Sequence, residues 1–276
     1  MIVISLWSIH MNGTTDKTVV EISNLSSFYG ERQVLTDINL NVNYREIMVI
    51  MGHSGSGKST LFKNILGLHQ TSSGSIRLLD KEVSSMQQSE LYALRKKLGV
   101  AFQNGALFSS MSLIENVELP LHEHTRLDKQ TIRIMARLKL ELMRLADFED
   151  LMPAELSGGM LKRAGLARAV VMDPSLLFFD EPSAGLDPIA SAELDELILQ
   201  LRDALNMSII VVTHELESAF KIADRLTVLD KGQQIITGTP AEILASPDPR
   251  IVNMLQRRAG NDVIDADAYL DKLTRH

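Results

Sequence analysis

Short apolar runs alternate with helical periodicity along most of the chain. Residues 19–22 and 38–42 read as strands, with Tyr29-Gly30 in a turn between them. Residues 47–51 form a five-residue apolar run that ends in a glycine-rich loop, and 61–68 continue as a helix. Residues 76–79, 98–102, 176–179 and 208–212 read as further strands. Residues 226–229 and 233–237 read as a hairpin around Lys231-Gly232. Residues 131–146 carry helical spacing with no Gly or Pro, and the stretch 104–170 is almost all helix, which predicts a helical insertion in an α/β sheet. From Pro240 the pattern is helical again: a short helix over 241–245 after a proline stop, a turn at 247–250 and a second helix over 251–257. Residues 241–276 thus read as a C-terminal helical extension, whose residues past about 258 carry apolar anchors that either reach a second subunit and stabilise assembly or pack on their own cassette or fray.

Composition narrows this picture. The chain has 276 residues, 45% hydrophobic and 23% charged, as an ordinary globular protein does. Its net charge of −7 argues against a wholesale nucleic-acid coat, though not against a local basic patch, and no nucleic-acid partner is expected. With no cysteine, thiolate metal sites and cysteine nucleophiles are excluded. No apolar run approaches the ~18–20 residues of a membrane span. Residues 1–17 read as an N-terminal leader, irregular or disordered. They lack the basic start and small-residue cleavage site of a signal peptide, and Met11 is an alternative start.

The chemistry concentrates in Gly52-His53-Ser54-Gly55-Ser56-Gly57-Lys58-Ser59, which fits G-x-x-x-x-G-K-[ST] between an apolar strand and a helix. Glycines let backbone N–H groups turn inward around phosphate oxygens, and the helix start adds positive potential. Lys58 is placed to reach the β- and γ-phosphates, Ser59 to ligate Mg²⁺, and Thr60 to close the nucleotide site. The strand at 176–179 ends in Asp180-Glu181. Asp180 suits a carboxylate that holds Mg²⁺, and Glu181 a general base that polarises a water for attack on the γ-phosphate.

Together with these motifs, Leu156-Ser157-Gly158-Gly159-Met160 resembles the signature of the ATP-binding subunits of ABC transporters. The resemblance covers about residues 18–240. It implies a P-loop NTPase cassette with a RecA-like core, an antiparallel β subdomain and a helical insertion. It further implies an ATPase using ATP and Mg²⁺. Gln103 would be the loop glutamine that senses Mg²⁺ and water. Ala184-Gly185-Leu186-Asp187 would be the loop at the subunit boundary, with Asp187 near the nucleotide. His214 would be the switch histidine. Tyr29 would stack on adenine, with a plain surface or core aromatic beside Phe28 as the alternative. Ser157 is a good N-cap for a helix starting with two glycines, and such a start binds phosphate. Because one chain cannot easily turn both this start and its own phosphate loop to one γ-phosphate, the family forms a head-to-tail homodimer around two ATPs. Two departures stand out: Met160 replaces the usual Gln, and His53 the proline common in transporter loops.

One cassette without a membrane span must borrow a permease. The wording of Gln103-Asn104-Gly105-Ala106-Leu107-Phe108, of Asn116 to Leu121 and of LSGGM resembles ATPases of the Mla phospholipid-transport group, associated with MCE proteins. That resemblance implies a place on the cytoplasmic face of a bacterial inner membrane. Its partners would be an integral-membrane permease, a small STAS-domain subunit and a periplasmic MCE-domain subunit, and its work the maintenance of outer-membrane lipid asymmetry. An ATPase of an importer for a small solute is the alternative. A translation factor would usually carry two cassettes, an SMC-like ATPase would separate Lys58 from Asp180 by long heptads, and a P-loop kinase would lack the LSGG motif.

Overall fold

The computed structural model describes residues 17–103 and 105–256. The expectations for the leader (Lys17 aside) and for the segment past 258 lie outside these residues. In chain order the elements are β1 (Thr18–Tyr29), β2 (Arg32–Asn43), β3 (Ile47–Met51), α1 (Lys58–Ile65), β4 (Ser73–Leu78), β5 (Lys81–Glu82), α2 (Gln88–Arg95), β6 (Leu98–Ala101), α3 (Leu113–His124), α4 (Lys129–Leu142) and α5 (Gly158–Val170). There follow β7 (Leu176–Asp180), α6 (Pro188–Leu205), β8 (Ser208–Thr213), α7 (Leu216–Ile222), β9 (Arg225–Asp230), β10 (Gln233–Gly238), α8 (Pro240–Leu244) and α9 (Pro249–Leu255).

The strands form one sheet in the order β5-β4-β1-β2-β10-β9-β3-β8-β7-β6. From β9 to β6 all neighbours are parallel. The other end is antiparallel, through β4, β1 and β2. The apolar runs at the centre are continuous because both faces of the parallel part are covered. On β3, Ile47, Val49 and Met51 join a core shared with α3, α4, α5 and α6. Met48 and Ile50 face the opposite core, with Leu61, Phe62 and Ile65 of α1. There Phe62 meets Phe178 of β7 edge to face, with ring centroids 5.6 Å apart.

Several boundaries differ from the sequence reading for identifiable reasons. β1 and β2 run the full length of a twelve-residue pair, well beyond residues 19–22 and 38–42. Register shifts around Leu25 and left-handed residues at Asn24 and Asp37 interrupt the alternation on which the shorter assignment rested. Helix α1 begins at Lys58, directly on the phosphate loop, and is over before Gly67, at φ +64°. Helix α4 starts at Lys129 because Asp128 caps it, accepting from Gln130 and Thr131 N–H at 3.0 Å, and it ends at Leu142 rather than 146. Pro240 does not stop a helix: it is the first residue of α8, capped by Thr239. The expected turn at 247–250 is likewise a helix start, with Asp248 as cap and Pro249 as first residue of α9.

Candidate nucleotide site

The phosphate loop joins β3 to α1 at the carboxyl end of the parallel strands, where open α/β sheets bind ligands. Gly57 sits at φ +104°, and a Cβ there would lie 2.6 Å from Leu35 Cδ2. The loop is tied to the β9–β10 hairpin by Gly232 N–H, which donates to the Ser56 carbonyl at 3.0 Å. Lys58 is 8% exposed, and its ammonium donates to the carbonyls of Gly52 at 2.7 Å and His53 at 3.1 Å. Burial pushes this ammonium below its usual range, while Glu181 and Asp180 pull it back up.

One cavity of about 920 Å³ gathers Gly52, His53, Ser54, Gly55, Gly57, Lys58, Ser59 and Thr60 with Gln103, Asp180, Glu181 and His214. Four elements converge there: the loop after β3, the turn after β6, the end of β7 and the end of β8. Burial raises the Asp180 carboxyl, as does the neighbouring Glu181, while Lys58 and Lys63 lower it. Glu181 adopts φ +49° and is held from three sides. Its N–H donates to the Val212 carbonyl at 2.8 Å, and its carboxylate accepts from Thr213 Oγ1 at 3.1 Å and from His214 Nδ1 at 2.9 Å. A carboxylate so fixed, facing an exposed cavity beside a lysine, can accept a proton from water without first reorganising.

The donor set fits ATP with Mg²⁺. The glycine-rich loop and Lys58 suit phosphate, and the Ser59 hydroxyl with the Asp180 carboxylate supplies hard oxygens. Among the described residues there is no group of three or more His, Cys, Asp or Glu able to hold a metal alone.

Other expected residues lie elsewhere. Ser56 is buried beneath the loop and does not line the cavity. Tyr29 closes β1, 45% exposed, opposite Arg32, which does line the cavity. Its ring stacks on His69 at 4.2 Å, and His69 Nε2 donates to the Phe28 carbonyl at 3.0 Å. Ser157 and Gly158 are exposed at the start of α5, outside the cavity, with Gly159 beside Ala190. The Ser157 hydroxyl accepts from Met160 N–H at 3.3 Å. Asp187 spends its carboxylate on capping α6, accepting from Ile189 and Ala190 N–H at 3.0 and 2.9 Å.

Sequence reading missed several residues of this site. Arg32, Val34, Glu215, Leu216 and Met254 also line the cavity, and nothing in the local sequence marks them. Lys162 stands at a buried position of α5 and binds the segment that follows Glu181. Its signal was readable: Lys162, Leu166 and Val170 share one face at i, i+4 and i+8, so a lysine sits on an apolar stripe. Arg168 clasps the turn after Gln103, donating to the carbonyls of Gly105 at 3.0 Å and Ala106 at 2.8 Å.

The ABC transporter family pattern matches residues 35–184. The chain belongs to the ABC transporter ATP-binding family. As a member it is an ATPase, and its sheet with one parallel and one antiparallel end is the cassette fold. It is 40% identical to the intermembrane phospholipid transport system ATP-binding protein MlaF of Haemophilus influenzae, over 90% of this chain and 94% of that protein. A probable ribonucleotide transport ATP-binding protein, mkl of Mycobacterium leprae, is 37% identical over 87% of this chain and 69% of its own length. Among solved structures, the post-hydrolysis dimer of the cassette MJ0796 bound to ADP and Pi superposes with a TM-score of 0.74 at 30% identity. It covers 80% of this chain and 98% of that one.

Proposed function

We propose that this ABC ATPase hydrolyses ATP in a head-to-tail homodimer and, on the cytoplasmic face of a bacterial inner membrane, drives a permease that moves phospholipid between membranes. The observation that carries the dimer is a separation within one chain. Lys58, Asp180, Glu181, Gln103 and His214 share a cavity that Ser157, Gly158 and Gly159 do not reach. A second copy supplies its α5 start, with free N–H groups, to complete the γ-phosphate site. The dimeric arrangement of the MJ0796 cassette supports this. Phospholipid is favoured over a small solute because the match to MlaF runs through 94% of that protein, whereas the mkl match leaves about a third of its length unaccounted for.

Within the site, Lys58 and the loop N–H groups hold the phosphates and Ser59 and Asp180 hold Mg²⁺. Glu181 takes a proton from the attacking water, while His214, now paired with Glu181, turns to the γ-phosphate. Bound there, Mg²⁺ would supply positive charge to the phosphate oxygens. The exposed Phe102 and Phe108 flank the turn after Gln103 and suit an apolar permease helix. A STAS-domain subunit and an MCE-domain subunit complete the assembly in this reading.

Transport is tested by isolating the protein with its co-purifying partners, reconstituting the complex in liposomes, and following labelled phospholipid to acceptor vesicles during ATP hydrolysis. ATP-dependent transfer supports the reading. A solute-binding receptor in the complex and no lipid transfer would move the protein to the importers. Ser157→Arg is expected to abolish hydrolysis while each subunit still binds ATP through its own loop, because the bulky cation blocks the trans contact. Equilibrium nucleotide binding and turnover on one preparation decide this, and full turnover would remove Ser157 from the site. Tyr29→Ala is expected to weaken ATP binding about three- to tenfold through loss of base stacking. Calorimetric titration measures it, and an unchanged affinity would leave Tyr29 as a surface aromatic.

A further inference from the structure

Lys162 is a buried cation that the chemistry above does not use. It is 7% exposed, and burial holds its ammonium below the usual lysine range, against the pull of Glu181. Each of its N–H donors has a main-chain acceptor: the carbonyls of Glu181 at 3.2 Å, Pro182 at 2.6 Å and Ala184 at 2.5 Å. Desolvating an ammonium is costly, and three carbonyls are the minimum that satisfies it. The turn it grips carries Glu181 at its first position, with φ +49°. The helix it belongs to is capped by Ser157, about one and a half turns away.

We infer that Lys162 is a positioning residue: it fixes the Glu181 main chain to helix α5, so that the general base and the exposed signature move as one body. No other side chain of α5 is hydrogen-bonded to this segment among the described residues. The consequence rests on the dimer reading above. In that dimer the start of α5 serves one ATP while Glu181 of the same chain serves the other. Phosphate captured at a chain's signature therefore acts through Lys162 on the base of the opposite site, an energetic coupling carried by a rigid element.

The test uses the full-length protein in its co-purified complex. Lys162→Met keeps the stem and removes every donor; Lys162→Gln keeps two. Lys162→Met is expected to lower kcat about ten- to a hundredfold, as small misplacements of catalytic groups do, with KM for ATP within about twofold of wild type. Lys162→Gln is expected to fall between the two. Combined with Glu181→Gln, Lys162→Met is expected still to form the ATP-dependent dimer seen by size-exclusion chromatography, since the signature is intact. A lowered melting temperature with unchanged kcat would overturn the inference, making Lys162 a structural tie only. So would a KM that rises in step with the loss of kcat, or loss of the ATP-dependent dimer in the double variant alone. If Glu181→Gln by itself forms no ATP-dependent dimer, the dimer reading fails instead, and the kcat series still reports on Lys162.

Discussion

Glu181→Gln leaves a protein that binds ATP, holds it and does not turn over. The amide keeps the shape of the carboxylate and can still accept from Thr213 Oγ1 and His214, so the turn after β7 retains its geometry. What it loses is the ability to take a proton from water, a contribution of about 10²- to 10⁴-fold. Asp180 is untouched and still offers its carboxylate to Mg²⁺. The variant is therefore expected to accumulate as an ATP-bound dimer, visible as a shift in elution volume with ATP and absent with ADP. Steady-state hydrolysis and size-exclusion profiles check the two halves separately. If the variant fails to bind ATP, Glu181 is a structural residue and the base must be sought elsewhere in the cavity.

Lys58→Ala acts one step earlier. The buried ammonium ties the carbonyls of Gly52 and His53 together across the phosphate loop, so its removal costs both the loop's shape and the main side-chain charge on the phosphates. Loss of one such preorganised donor typically costs about 10²- to 10³-fold in turnover, and here ATP affinity falls as well. Titration calorimetry and hydrolysis by the purified complex measure the two effects. Turnover within about twofold of wild type would be incompatible with phosphate held by Lys58.

The parts of the fold legible in the sequence are those buried from both sides. The runs at 47–51, 176–179 and 208–212 coincide with β3, β7 and β8 to within a residue, because a strand covered on two faces has no room for polar positions. Helix α6, by contrast, is not legible in the sequence. Its apolar stripe of Leu194, Leu197, Ile198 and Leu201 is blurred by the exposed Ile189 and by a buried Asp195 that bonds Ser218. The phosphate loop was legible because binding through backbone demands glycine at set positions, which spells a motif. For Lys162 only the burial is legible, as a lysine on an apolar stripe; what it grips is not, because its partners are carbonyls, and carbonyls leave no trace in sequence. Met254 reaches the cavity through the packing of α9, which depends on the whole fold.

The turn that carries Gln103 meets α5 glycine to glycine. A Cβ on Gly165 would lie 2.7 Å from the Gly105 Cα, and one on Gly105 would lie 2.7 Å from the Leu161 carbonyl. Where side chains separate two elements, rotamer changes absorb small displacements; where two backbones touch, nothing soft lies between them. Arg168 clasps the same turn through the carbonyls of Gly105 and Ala106, so the joint has little slack. On the reading proposed above, with a permease helix seated at Phe102 and Phe108, a shift of that helix would reach α5 through backbone contact, with no side chain between the two to absorb it.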